Sequence, residues 1–164
     1  MNLHDDWNEI RHIFARSVYA SMATVDADGH PHVSPIGSLV LHREPGRGFW
    51  FERFTTALPR HLDTDPRLCA MAVDTRVTLW GRALVAGRFP QAPGIRLRGT
   101  AGDRRPGTER ELDLFKQRVR ATRWTRGHKL LWEGLAHGRD VVFDDAIPLR
   151  IGALWPPRPA ALAA

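Results

Sequence analysis

The sequence predicts an α+β fold, an antiparallel meander of short strands around one short helix with a helical hairpin late in the chain. Three observations carry that expectation. Short apolar segments alternate with turn signals such as Asp28-Gly29 and Pro45-Gly46 between residues 20 and 54. The period changes at residues 55–66 to that of a single short helix. A capping box at Thr108 and Glu111 then opens a helical stretch in the C-terminal third.

Residues 5–18 read as an amphipathic helix, with Trp7, Ile10, Phe14 and Val18 repeating at spacings of three and four and acids Asp5 and Asp6 at its start. ASMATV follows as a strand and ends in a tight turn at Asp28-Gly29, where glycine accepts positive φ. Its partner runs over residues 31–42. Val33, Gly37, Leu39 and Leu41 share one face of it, and His32, Ser34, Ile36, Ser38 and His42 the other. Pro35 inside this strand implies an edge or a bulge. GFWFERF at 48–54 is an aromatic strand. The helix after it carries Pro59 in its first turn and stops at Asp65-Pro66. RLCAMAVD is apolar on both faces, as a strand deep in a sheet would be. Residues 75–93 read as a further hairpin built from TRVTLW and GRALVAG, and residues 94–105 as a strand.

In the last third, Leu112, Phe115 and Val119 form the stripe of one helix, and a second helical piece runs from Trp124 to about Ala136. RDVVF and IPLRIGAL return to strand character and close the domain within 139–154, and 155–164 reads as a loose tail. The length of 164 residues suits one domain over 1–154, with an N-terminal helix, a strand-rich body over 20–105 and a helical segment over 107–137.

Composition narrows the function classes. Hydrophobic residues make up 43% and charged residues 26%, which is globular rather than disordered. The single cysteine, Cys69, excludes an internal disulfide framework and a Cys-rich zinc module. No apolar run reaches the roughly 18 residues of a membrane span, and MNLHDDWNEIRH has no signal-peptide character. A soluble, reduced, cytoplasmic protein without membrane contact is expected. The net charge of +6 comes almost wholly from arginine, since only Lys116 and Lys129 are lysines. It is read as a generally basic surface, with an anionic ligand left open.

Side-chain chemistry is sparse. His30 and His32 lack further ligands at metal-binding spacing, so no metal site is expected. Cys69 sits among apolar neighbours without an adjacent cation, as an inert thiol does. Asp144-Asp145 reads as a solvated loop. Residues 116–129 hold Lys116, Arg118, Arg120, Arg123, Arg126 and Lys129 with Trp124 and no acid. A solvated helix face is the preferred reading of that segment, with a nucleic-acid or polyanion patch as its alternative.

MATVDADGHPHVSPIG (22–37), GFWFERFTTALPRHLDTDPRLCAMAV (48–73) and IRLRGTAG (95–102) together resemble the pyridoxamine 5′-phosphate oxidase-like family of flavin-binding split barrels. The likeness spans residues 16–105, a little over half of the chain. It implies an antiparallel split β-barrel, a homodimer, and flavin mononucleotide (FMN) at the subunit interface. It also implies hydride transfer between that flavin and a small substrate. Carried over by position, His32, Val33, Ser34 and Pro35 would line the flavin ring, and Phe51, Glu52 and Arg53 would flank the ribityl chain. Thr55, Thr56 and the helix start behind them would take the phosphate, a role that free backbone N–H groups suit. Many members carry a basic pair at the start of that helix. Here those positions are Ala57-Leu58, which leaves Arg53 and Arg60 as the nearest cations. Relatives on the same barrel use a deazaflavin coenzyme or bind haem, and these stand as alternatives, as does a non-catalytic module that binds haem, flavin or nucleic acid. The 107–137 segment would serve as a lid or a dimer element.

Overall fold

A computed structural model describes residues 1–154, so the tail over 155–164 lies outside the described residues. Helix α1 (Trp7–Arg16) buries Trp7, Ile10, Ile13 and Phe14. It is shorter than the expected 5–18, because Ser17 is already extended at ψ 136°. Val18 is 82% exposed, and Ile13 takes the place on the stripe expected for it.

Strands β1 (Ala20–Val25) and β2 (Pro31–Ile36) form the expected hairpin, with Gly29 at φ +85° in the turn. The single strand expected over 31–42 is broken. Beyond a kink at 37–39 the chain resumes as β3 (Val40–Leu41), which pairs with β4 (Arg47–Phe51) and not with β1. Helix α2 (Ala57–Thr64), β5 (Arg67–Val73), helix α3 (Val77–Ala86), β6 (Gly94–Ala101) and the short β7 (Arg105–Pro106) follow. Helices α4 (Glu109–Val119) and α5 (Arg126–Trp132) flank a 3-10 turn and precede β8 (His137–Pro148).

The strands pair in the order β2-β1-β5-β6-β8-β4-β3, all antiparallel, with β7 beside β8. The sheet curls into the α+β split barrel that the sequence implied, and one kinked segment supplies both of its edges. Pro35 is tolerated because β2 is an edge strand. The kink also moves the pleat. Ser34 and Ile36 are buried before it and Leu39 and Leu41 after it, so the two faces read from the sequence exchange at Ser38. Ser38 patches the break, since its Oγ donates to the Phe51 carbonyl at 2.8 Å and accepts from the Phe51 N–H at 3.1 Å.

Residues 75–93 hold a helix where a hairpin was expected. Leu79 and Ala83, four apart, bury one face of α3 with Phe89, and Gly87 at φ +66° ends the helix in the left-handed conformation. Its β-branched and aromatic residues favour a strand, but that periodic face outweighs them. Strand β5 is internal as expected, between β1 and β6. The two closing strands expected over 139–154 are one strand of 12 residues, followed by a 3-10 turn at Gly152–Leu154.

Most of the core lies between the curled sheet, α1 and α2. A second cluster of Phe49, Phe51 and Phe115 joins α4 to β4, and Trp132 of α5 packs on it. Phe115 is 1% exposed, and burying such a side chain contributes about 1.5–3 kcal/mol. The capping box that starts α4 is complete, Thr108 accepting from the Glu111 N–H and Glu111 accepting from the Thr108 N–H.

Candidate functional site

The five residues between β4 and α2, Glu52–Thr56, hold most of the polar side chains singled out in the sequence. Phe54 lies at their centre with φ +69°, the one non-glycine residue at positive φ among the described residues. A bulky residue in that region is strained, and such strain persists only where the surroundings impose it. Arg53 lies beside it, its guanidinium 4.8 Å from the centre of the Phe54 ring.

A buried ionic network supports these residues from below. Arg139 of β8, 2% exposed, donates from Nε to Glu52 at 2.6 Å, from Nη2 to Asp63 of α2 at 2.5 Å and from Nη1 to the Gly102 carbonyl at 3.2 Å. Burial works against its charge, yet the hydrogen bonds to Asp63 and Glu52 prevail and hold its pKa above the ordinary guanidinium value. Arg104 approaches the other Glu52 oxygen at 3.3 Å. Glu52 Oε1 is thereby tied to β8, while its Oε2 is buried without a hydrogen-bond partner. Phe51 is buried in the core. Its ring packs edge-on against Phe49 at 5.6 Å and Phe115 at 5.8 Å, in the second core cluster.

Arg53 and Thr55 take no part in this network. The Nη1 atom of Arg53 and the Oγ1 atom of Thr55 are buried and have no hydrogen-bond partner. Leaving such groups unpaired costs about 1–3 kcal/mol each. Thr56 begins α2 without a side-chain cap, so its hydroxyl and the first helical N–H groups are also open to a ligand. Arg60 is exposed and donates from Nε to the Thr56 carbonyl at 3.2 Å, back along its own helix.

The four β2 residues do not share a face. Val33 and Pro35 point outward, Val33 at 61% exposure, while Ser34 is buried. His32 turns toward α2, where its ring meets His61 edge-on at 5.0 Å, and His61 Nδ1 lies 3.2 Å from the hydroxyl of buried Thr24. What His32, Val33, Ser34 and Pro35 have in common is the outer edge of β2, to which no other strand is paired among the described residues. His61 and Arg139 were missed in the sequence. His61 sits between Arg60 and Leu62 with no motif around it, and Arg139 acts across 87 residues.

Other expectations can be placed as well. Asp26, Asp28 and His30 do meet at the β1–β2 turn, a third ligand-type side chain that spacing did not reveal. Asp26 Oδ1 is occupied there by the N–H groups of Asp28 at 3.0 Å and His30 at 2.8 Å. Burial pushes the Cys69 thiol pKa up, as an inert thiol requires. Arg118 leaves the supposed solvated face of 116–129. Its guanidinium donates to the carbonyls of Leu39, Phe14 and Ser17. Among the described residues no helix is long and apolar enough to cross a membrane.

The family model described as pyridoxamine 5′-phosphate oxidase matches residues 7–120, from the first residue of α1 into the 3-10 turn beyond α4. The chain belongs to that family. No curated protein matches it. Solved structures share the fold at low identity. An FMN-binding protein from Syntrophomonas wolfei is 12% identical with a TM-score of 0.64, covering 91% of this chain and 89% of its own. The heme storage protein HutZ from Vibrio cholerae is 18% identical with a TM-score of 0.55, covering 90% and 95%. An F420 reductase is 16% identical with a TM-score of 0.57, covering 84% and 94%. Arg53, Thr55 and the uncapped start of α2 lie within five consecutive residues and carry unpaired polar groups of the kind a phosphate would satisfy.

Proposed function

We propose that this protein binds FMN as a homodimer and transfers hydride between the flavin and a small substrate. The observation that carries the reading is the two buried, unpartnered atoms, Arg53 Nη1 and Thr55 Oγ1, in the segment that leads into the uncapped start of α2. Bound flavin would supply the hydride chemistry, and the protein would supply binding, orientation and exclusion of water. Arg53, Thr55 and Thr56 would hold the phosphate, with the α2 dipole favouring its charge. The outer edge of β2, from His32 to Pro35, would border the ring. Val33 and Pro35 on its exposed face would be covered by the second subunit.

Ala57-Leu58, in place of a basic pair, favours a second reading on the same barrel, a reductase that uses a deazaflavin coenzyme. The absorbance spectrum of the purified protein, followed by titration with FMN and with deazaflavin coenzyme, separates the two. The FMN reading expects oxidised-flavin bands, or their uptake at one FMN per chain, in a species that sediments as a dimer. Reduction of a substrate with deazaflavin alone, or tight FMN binding by a monomer, would overturn it.

A further inference from the structure

A groove runs between α1 and α4, across the edge strand β3 and well apart in sequence from Glu52–Thr56. Two adjoining hollows of about 950 and 540 Å³ form it and share Arg11, Val40, Leu41 and Leu114. Val40, Leu41 and Leu114 give it an apolar floor. Its rim is cationic. Arg11, Arg43, Arg110, Arg118 and Arg120 line it, and none of them has an acidic partner among the described residues.

The acids of the groove are already engaged. Glu44 faces Arg47 at 3.6 Å, while Glu111 and Asp140 both bind Arg105. Two of the arginines are not merely solvated surface. The Nε of Arg11 is buried without a hydrogen-bond partner. Arg118 has only carbonyl oxygens around its guanidinium, and burial lowers its pKa from the ordinary arginine value. Guanidinium groups held this way lack a counter-charge, and an anion in the groove would provide one.

We infer that this groove binds a phosphorylated organic anion of the nucleoside diphosphate type, its phosphates between Arg11 and Arg110 and its ring system on Val40, Leu41 and Leu114. Phosphate matches the planar fork of arginine in charge and geometry. Five guanidinium groups without an acidic partner among the described residues call for more than the single charge of a monocarboxylate, and the apolar floor calls for more than an inorganic ion.

The experiment is calorimetric titration of the full-length protein with ADP, with pyrophosphate and with adenosine. ADP is expected to bind at least ten-fold more tightly than either fragment, and less tightly as salt rises. Arg11→Gln and Arg110→Gln should each weaken ADP at least ten-fold, while Arg82→Gln on α3 leaves it unchanged. Leu114→Glu, which adds a negative charge to a side chain already 37% exposed, should abolish binding while circular dichroism stays that of the folded protein. FMN titrations should be the same in all four variants, so failure of this inference and failure of the flavin reading are read separately. No ADP binding, binding matched by pyrophosphate alone, or equal ADP affinity in Arg11→Gln, Arg110→Gln and Arg82→Gln would overturn it.

Discussion

Arg139 and Glu52 meet at 2.6 Å with their side chains 3% and 4% exposed, so β8 is tied to the end of β4 by an ion pair almost wholly removed from water. Arg139 reaches on to Asp63, and one guanidinium thereby fixes the two elements that bracket Glu52–Thr56. The strained Phe54 and the unpaired Arg53 and Thr55 sit on that support.

Removing Arg139 leaves buried Glu52 with only the half-exposed Arg104, 3.3 Å away, as a counter-charge. Arg139→Met is therefore expected to destabilise the fold by about 3–5 kcal/mol in urea unfolding. The double variant Arg139→Met/Glu52→Gln should recover a large part of that loss. Asp63→Asn should cost no more than about 1 kcal/mol, because Asp63 is 63% exposed. A double variant no more stable than Arg139→Met would show that packing, not charge, makes the site costly.

Two glycines should respond with opposite signs. A Cβ on Gly99, at the bulge where β6 slips against β8, would stand 2.1 Å from the Val142 carbonyl oxygen. Backbone must move to admit it, so Gly99→Ala is expected to destabilise by about 3 kcal/mol. Gly81 lies inside α3 with nothing within 4 Å of the same position. Gly81→Ala should stabilise by about 0.5–1 kcal/mol through helix propensity. Thermal unfolding of the two variants checks both signs.

These residues also show what the sequence could disclose. Patterns of one or two periods were legible: the β1–β2 hairpin, the aromatic β4, the capping box of α4 and the helix after Thr56. The break at Ser38 was not, because it depends on a partner thirteen residues away, Phe51, that takes up both hydrogen bonds of one hydroxyl. Helix α3 was misread because its buried face, Leu79 and Ala83, is narrow, and Val77, Leu84 and Val85 spread apolar character over its exposed side. In the candidate site, Arg53 and Thr55 could be singled out by position in a motif. That Glu52 pairs with a buried arginine depends on Arg139, a contact no local pattern encodes.

Acid should act through the start of α4. Hydrogen bonds from Arg105 hold Glu111 at about 2 against the opposing effect of burial, with the Thr108 N–H adding to the shift. A carboxyl depressed in the folded state stabilises the fold above its unfolded value of about 4.5. That contribution is lost as pH falls toward 2. Urea midpoints of the natural protein should therefore drop between about pH 4.5 and 2 more steeply than those of Glu111→Gln, which should be less stable at neutral pH. Parallel slopes would assign the acid limb to other carboxyls.

The phosphate reading rests on Arg53 more than on Arg60. Both were cations in reach by sequence, but Arg60 is exposed and bonds its own helix at the Thr56 carbonyl, 3.2 Å away. Arg53 holds a buried Nη1 without a partner, two residues before the equally unpartnered Thr55 hydroxyl. Pro59, in the first turn of α2, removes one backbone donor, so a side-chain cation carries more of the charge than in a helix without it. Arg53→Ala is expected to weaken FMN binding by about 1.5–3 kcal/mol, the range for a hydrogen bond to a charged group. Arg60→Ala should weaken it by less than about 0.5 kcal/mol, as surface substitutions do. Riboflavin, which lacks the phosphate, should bind both variants as it binds the natural protein. Thr55→Val should follow Arg53→Ala in direction with a smaller loss, about 0.5–1.5 kcal/mol, since its hydroxyl is neutral. Fluorescence titration of the two flavins into the three variants decides the matter. Equal losses for riboflavin and FMN would put the phosphate elsewhere, and a larger loss in Arg60→Ala than in Arg53→Ala would reverse the assignment of the two arginines.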